Sequence, residues 1–366
     1  MSTAVAGATR EWTIVRIESD DGQVGWGEAC HAPGLTGVLA GLGEALIGAD
    51  LRQVQPLIRR LHAETSGSAG GIVRDAISGV DAALWDLNAR LLGVPLWRLL
   101  GGRVHERVRV YARCSTGSLC NQMGYEQLAA QASAAVAAGF DGLKIDLDVP
   151  GLLPRHPGSR MLPPGAEDLA SRIMTAVRRA VGPYVDVAYD CNRRYDLQSA
   201  MRLTEVAVEQ GVWWLEDPVA AENVDGLRSL VCRAVPLGGG EHAVGYDTAA
   251  RLLETGALSV LTPDLRRTGG YAEVRRMAEA ADRFGVALAP HTGAGPIGTA
   301  FAAQVACTWP NLLALEYSGL DVRGYDDLVG RSLLQDGAIE ITDRPGIGVE
   351  PDLEVVGKDG EGFFSL

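Results

Sequence analysis

Three carboxylates recur at nearly even intervals: Asp190, Glu216 and Glu241 are separated by 26 and 25 residues. Each closes a short apolar run, "VDVAYD", "VWWLE" and "VPLGGGE". Three acids brought together repel one another and cannot all ionise cheaply unless a cation sits among them. A set of oxygen donors with no Cys or His favours a hard divalent ion, and Mg2+ is the expected one. His291 closes "VALAPH" and Asp264 closes "LSVLTPD". A lone histidine at a strand end is usually an ordinary hydrogen-bonded residue. Beside an acid on the adjacent strand it becomes a dyad, in which the carboxylate fixes the tautomer and raises the basicity of the ring. Glu316 closes "LLALE", where a carboxyl raised by its acidic neighbours would donate a hydrogen bond to an oxyanion; the alternative is a helix-capping acid. Lys144 stands two residues before Asp146 in "GLKID", so both point into the same mouth. The lysine either neutralises a substrate carboxylate or pairs with Asp146 or Asp190. A metal, a base and an acid around a carboxylate substrate imply removal of a proton from the carbon next to that carboxylate.

Such residues must be delivered by several strands to one place. From residue 108 onward, β-type runs alternate with amphipathic helical stretches such as 124–139, 197–210 and 269–284. The runs are 108–113, 142–146, 185–190, 212–216, 235–241, 258–264, 286–291 and 312–316, eight in all. This rhythm is that of an α/β chain folded as a (β/α)8-type, modified TIM, barrel, whose strand ends converge on one face. From the second strand onward every run ends on a residue able to carry charge. Residues 148–165 carry Pro and Gly without helical period and read as a long loop. The first hundred residues differ in texture. "REWTIVRIESDDGQVGWGEA" reads as two strands around a turn, and "IVRDAISGVDAALWDLNARLLG" as a helix stopped by Gly93. Residues 108–324 are therefore assigned to the barrel, and 1–107 plus 325–366 to an α+β capping domain, with "GIGVEPDLEVV" read as a turn and strand returning to the N-terminal unit.

The formal net charge of −13 argues against a nucleic-acid partner, which needs a basic face. Six cysteines, at 30, 114, 120, 191, 232 and 307, form no CxxC pair and read as reduced thiols. The N-terminus lacks a signal-like apolar block, and no run approaches a membrane span. A cytoplasmic protein with no membrane partner is expected, and a homo-oligomer is the expected assembly.

The chain resembles the enolase superfamily and, within it, the mandelate racemase group. The motifs run in order over nearly the whole length: "GWGEA", "AISGVDAALWDLNARLLGVPLWRLLGG", "YDCN", "WLEDP", "GGGEH", "PDLRRTGG", "APHT" and "LEYSG". The resemblance implies Mg2+ held by Asp190, Glu216 and Glu241, a His291/Asp264 base, an electrophilic Glu316, and a cap loop near Trp26 to Pro33 that closes over substrate. It makes His31, Arg193 and His242 candidates for binding or proton transfer, with Asp146 beside Lys144 at the substrate. "GEH" resembles the form found in sugar-acid dehydratases of the group.

Two departures shape the expectation. The second strand of the family often carries Lys-x-Lys, with the second lysine as a base facing the histidine; here Lys144 is followed by Asp146. A two-base racemase is thereby disfavoured, and a single histidine implies an (R)-configured C2. The N-terminus also reads as short of the cap's first strand. The reading is a Mg2+-dependent dehydratase of an anionic sugar acid, an aldonate or aldarate, giving a 2-keto-3-deoxy acid. The rivals are an epimerase or racemase with Asp146 or a loop residue as second base, a noncatalytic sugar-acid binder, and a plain structural barrel.

Overall fold

The computed structural model describes the chain apart from residues 8–9, 69, 115–124, 157, 232–233, 321, 360–363 and 366. The cap begins with β1 (Ser2–Ala6), β2 (Trp12–Glu18) and β3 (Val24–Ala29). β1 pairs antiparallel with β2 from Ser2 opposite Arg16 to Ala6 opposite Trp12, so the first strand that the sequence seemed to lack is present. Small residues in "STAVA" hide its period, but pairing with the apolar β2 orders it. The helix Ile72–Leu91 lies across β3 and β2, and with helices Leu35–Glu44 and Val54–Glu64 it buries a cap core that includes Leu39, Leu61, Ile77 and Leu84.

The barrel strands are β4 (Arg107–Cys114), β5 (Gly142–Asp146), β6 (Asp186–Asp190), β7 (Leu215–Glu216), β8 (Leu237–Gly239), β9 (Leu258–Leu261), β10 (Ala287–Leu288) and β11 (Leu315–Tyr317). Each pairs in parallel with the next from β4 to β10, and β11 pairs in parallel with β4. A parallel bridge between Leu288 and Leu312 closes the ring. Among the described residues, seven α-helices connect the eight strands: Tyr125–Ala137, Ala166–Val181, Leu197–Gln210, Val224–Leu230, Tyr246–Leu253, Tyr271–Arg283 and Pro296–Ala306. Among the described residues β11 is followed not by a further helix packed between barrel strands but by the 3-10 turn Asp326–Val329, and the chain turns back toward the cap.

Several strands are shorter than the apolar runs suggested. β8, β9 and β10 stop before Glu241, Asp264 and His291, which lie two or three residues beyond their ends. Pro263 and Pro290 have no N–H to extend the ladder, and Gly240 leaves it at φ 119. The acids and the histidine thus sit on short post-strand segments, free to turn inward.

The C-terminal reading needs two corrections. β12 (Leu334–Gln335) and β13 (Ala338–Glu340) form a hairpin whose second strand pairs antiparallel with the start of β4, so residues 334–340 attach to the barrel. Leu353–Asp359, read as strand, is a helix: Asp352 Oδ1 accepts the backbone N–H groups of Glu354 and Val355 and so caps it. The expected return to the N-terminal unit does occur, through a Pro95–Gly346 bridge and through β14 (Phe364–Ser365) on β1. The 148–165 loop is packed rather than loose, with Val149, Leu152 and Leu162 buried. Cys30, Cys191 and Cys307 are free thiols, as expected, while Cys120 and Cys232 lie outside the described residues. Among the described residues no helix is long and apolar enough to cross a membrane.

Candidate active site

The parallel strands bring Asp190, Glu216 and Glu241 together at the C-terminal mouth, with one ligand oxygen from each within 4.8 Å of the others. All three are buried. Asp190 can end its strand so abruptly because Asn192 and Arg193 adopt left-handed backbone, φ 47 and 57, and the Asn192 N–H donates to Asp190 Oδ1 at 2.7 Å. Glu216 is held by the Trp214 indole N–H at 2.9 Å. Burial, and after it the other acids, push Asp190 well above the ordinary carboxylate range and Glu216 upward, although Lys144 opposes the rise. Glu241 departs the other way, held below the usual carboxylate range against burial by His291 and the His242 contact. Two buried carboxylates that resist ionisation unless positive charge is supplied, beside a third that is held ionised, are chemically suited to a divalent cation.

Lys144 supplies one such charge. Its Nζ is 3.1 Å from Glu216, 3.2 Å from Asp190 and 3.5 Å from Glu316. Burial alone would discharge it, but Glu216 and Glu316, with Tyr111 and Asp190 behind them, hold the ammonium well above the ordinary lysine range. Of the two sequence readings of Lys144, pairing with Asp190 is what the structure displays; Asp146 is paired elsewhere, with Arg113 Nη2 at 2.7 Å.

The structure brings His291 and Asp264 into contact. His291 Nδ1 is 3.0 Å from Asp264 Oδ2, and Nε2 is 3.2 Å from Glu241 Oε2 and 3.8 Å from Glu316 Oε2. Burial would raise Asp264, but Arg266, then the His291 contact, then Arg267 hold it below the usual carboxylate range. Burial would likewise suppress charge on His291, but Glu241, Glu316 and Asp264 outweigh it and make the ring more basic than free imidazole. Glu316 accepts the Thr292 backbone N–H on Oε2 at 3.1 Å, while its buried Oε1 has no hydrogen-bond partner among the described residues. Its pKa departs downward, against burial, because of Lys144, His291 and Arg113. The direction of this shift is opposite to the raised carboxyl expected from crowding by acids, because the nearest charges are cationic.

These groups underlie a cavity of about 390 Å³ whose lining includes Lys144, Asp190, Glu241, His242, His291 and, from the cap, His31. His31 bonds Thr13 Oγ1 at 3.0 Å and Glu11 at 3.1 Å; His242 lies 2.6 Å from Glu241 and 2.9 Å from Arg267 Nη1. Arg193 does not line the cavity: its N–H bonds the Asp217 carbonyl, and Asn192 takes the lining position. Asp146 is also withdrawn behind Arg113, which does line it.

Sequence reasoning missed four contributors. Arg113 closes the first apolar run, 108–113, one residue before β4 ends, so extending the run-end reading by one strand finds it. Arg266 and Arg267 stand inside the quoted "PDLRRTGG". Arg266 grips Asp264 through Nε at 3.2 Å and Nη2 at 2.9 Å, and its Nη1 is 3.6 Å from Glu28 of the cap. Glu28 in turn accepts the backbone N–H groups of Gly295 and Gly298 at 2.8 and 2.9 Å, which puts a carboxylate on the first turn of the helix that follows His291. A continuous chain of contacts thus runs from the cap to the dyad: Glu28, Arg266, Asp264, His291.

The arrangement matches known proteins along its whole length. A family model described as "Mandelate racemase / muconate lactonizing enzyme, N-terminal domain" matches residues 2–101, and one described as "Enolase C-terminal domain-like" matches 127–355. The chain is 37% identical over 363 residues to a protein of Haloferax volcanii named D-xylonate dehydratase, covering 97% of this chain and 87% of the relative. It is 30% identical over 355 residues to a D-galactonate dehydratase of Variovorax paradoxus, covering 94% and 89%. A crystal structure of a mandelate racemase/muconate lactonizing enzyme-like protein from Rubrobacter xylanophilus superposes with a TM-score of 0.92 at 33% identity, covering 98% of this chain and 96% of the other. With a matching cap, a matching barrel and three carboxylates gathered at its mouth, the chain belongs to the mandelate racemase/muconate lactonizing enzyme group of the enolase superfamily.

Proposed function

We propose that the protein is a Mg2+-dependent dehydratase of a sugar acid, an aldonate or aldarate. The observation that carries the reading is the asymmetry of the site. His291 with Asp264 stands past β10, whereas across the barrel, on β5, the position of a second base is taken by Asp146 paired to Arg113. One base suits elimination from a single face of C2. Two relatives named for dehydration of D-xylonate and D-galactonate support the same class.

Asp190, Glu216 and Glu241 would hold the Mg2+, which when bound supplies positive charge against the second negative charge that gathers on the substrate carboxylate. His291 Nε2 takes the C2 proton, its Nδ1–H anchored on Asp264. Lys144 and the Thr292–Glu316 corner flank the carboxylate end, and the site's burial keeps competing water away. The electron pair left at C2 expels the C3 hydroxyl, to which His291 returns the proton so that water departs. The enol so formed tautomerises to the 2-keto-3-deoxy acid. The sugar acid is the one small-molecule partner this reading requires, and a cytoplasmic homo-oligomer belongs to the same proposal.

A library of mono- and diacid sugars assayed with Mg2+ for 2-keto acid release tests it. Substrates of (R) configuration at C2 should react, deuterium from heavy water should enter C3 of the product, and recovered substrate should keep its C2 configuration. Accumulation of a C2 epimer would replace the dehydratase with an epimerase.

A further inference from the structure

Among the described residues, five Lys and Arg side chains line the cavity: Arg10, Arg113, Lys144, Arg266 and Arg267. Four have carboxylate partners: Lys144 has Asp190, Glu216 and Glu316; Arg113 has Asp146; Arg266 has Asp264 and Glu28; Arg267 has Asp264 at 3.5 Å. Arg10 has none among the described residues at ion-pairing distance. It belongs to the cap, between β1 and β2, yet its guanidinium reaches the segment behind the base. A Cβ built on Gly293, two residues after His291, would stand 2.3 Å from Arg10 Nη2. Glycine at 293 therefore leaves the space that Arg10 occupies. Trp12 fixes the same approach by donating its indole N–H to the Gly293 carbonyl at 3.4 Å. Burial, then the charges of Arg113 and Arg266, push the Arg10 guanidinium down from its ordinary range, and Glu316 and Glu28 offset part of that. Three guanidiniums thus converge beside the reacting corner, two of them held by carboxylates and that of Arg10 without one at ion-pairing distance among the described residues, and a planar guanidinium fork matches a carboxylate.

We propose that Arg10 binds the carboxylate end of the substrate, so that the cap contributes a direct contact beside His291. The ligand class rests on the sugar-acid reading above. Position selects the carboxylate end over the outer hydroxyls: Arg10 lies against Gly293 and within the field of Glu316, while the more exposed His31–Glu11 pair lies at the rim.

The test is calorimetric binding of D-xylonate, D-galactonate, D-gluconate and D-galactarate to the Mg2+-loaded protein carrying His291→Asn, which prevents turnover, with and without Arg10→Ala. Loss of a charge-assisted bond to a carboxylate should weaken the tightest acid by about tenfold to hundredfold. Arg10→Lys should recover part of the loss, and Gly293→Ala, which displaces the guanidinium without deleting it, should reproduce part. Mg2+ affinity without sugar acid should stay unchanged. Sugar-acid affinity within twofold of the parent in Arg10→Ala, or an equal loss of Mg2+ affinity, would overturn the proposal. Arg10-dependent binding by a protein that, with His291 intact, releases no 2-keto acid would uphold it and sink the dehydratase reading alone. Binding of none of the four acids would remove both.

Discussion

Replacing Asp264 by Asn tests the dyad through the way its oxygens are shared. Oδ1 accepts the backbone N–H of Arg266 at 2.9 Å and its Nε–H at 3.2 Å. Oδ2 faces Arg266 Nη2 at 2.9 Å, His291 Nδ1 at 3.0 Å and Arg267 Nε at 3.5 Å. An asparagine keeps one acceptor and turns the other oxygen into a donor. Placed at Oδ1, the new NH2 would confront two fixed donors. Placed at Oδ2, it confronts one donor at hydrogen-bonding distance, Arg266 Nη2, but meets a histidine that can accept by moving its proton to Nε2, so this second orientation is the less costly. The ring is then held in the tautomer that cannot take a proton at Nε2. Restoring the productive tautomer leaves the Nδ1–H buried against a donor, at about 1–3 kcal/mol, and the imidazolium loses its counter-charge as well. A total of about 3–5 kcal/mol corresponds to a loss of about 10²–10⁴ in kcat. KM should move by less than about threefold, since Asp264 does not line the cavity. Release of 2-keto acid under saturating sugar acid measures kcat, and loss of the C2 proton into heavy water isolates the base. A kcat within tenfold of the parent, or a rise in KM alone, would show that His291 does not depend on Asp264 for its proton.

Two other perturbations separate metal binding from cap docking. Asp190→Asn, Glu216→Gln and Glu241→Gln should each weaken Mg2+ binding about hundredfold or more by calorimetry and abolish turnover while far-UV circular dichroism is retained; full activity of any of them in chelator would refute the metal site. Asp81, on the cap helix, accepts the Tyr271 backbone N–H of the barrel at 2.6 Å, and burial raises its pKa to about 7. A raised carboxyl stabilises the fold below the unfolded-state pKa near 4, and that contribution is lost as pH rises to about 7. Asp81→Asn, which stays neutral, should therefore gain about 2 kcal/mol over the parent at pH 8 relative to pH 5 in thermal melts, and a pH-independent difference would show that Asp81 ionises normally.

The parts of this site that the sequence discloses are those in which each strand carries its own residue. Apolar runs ending in charge locate β5 and β6 almost to the residue, because burial on both faces makes a parallel strand continuously apolar and only the mouth tolerates a carboxylate. The same reading overruns β9 and β10, since the uncharged residues Thr262–Pro263 and Ala289–Pro290 carry the run past the last paired residues to Asp264 and His291. It also treats Arg193 as facing substrate, when two successive left-handed residues turn Asn192 inward instead. Glu316 was read from its acidic company, yet in three dimensions its nearest charges are cations, and the direction of its pKa follows them.

What no linear pattern discloses is the join between the two halves. Arg10 and Trp12 meet Gly293, and Glu28 meets Gly295 and Gly298, across more than 260 residues of chain. The glycines of "GAGPIG" read alone as a loop entering a helix; their spacing becomes intelligible only when the cap residues that fill the vacated volume are seen beside them. The join also bears on the chemistry. Glu28 holds the first turn of the helix after His291 and lies 3.6 Å from the Arg266 that grips Asp264, so a shift of the cap is transmitted to the orientation of the base through charged, buried contacts with few alternative arrangements. A cap that merely covered the mouth would change access. A cap tied to Arg266 and presenting Arg10 to the cavity lends side chains to the mouth itself, so the lining comes from both sides of the junction.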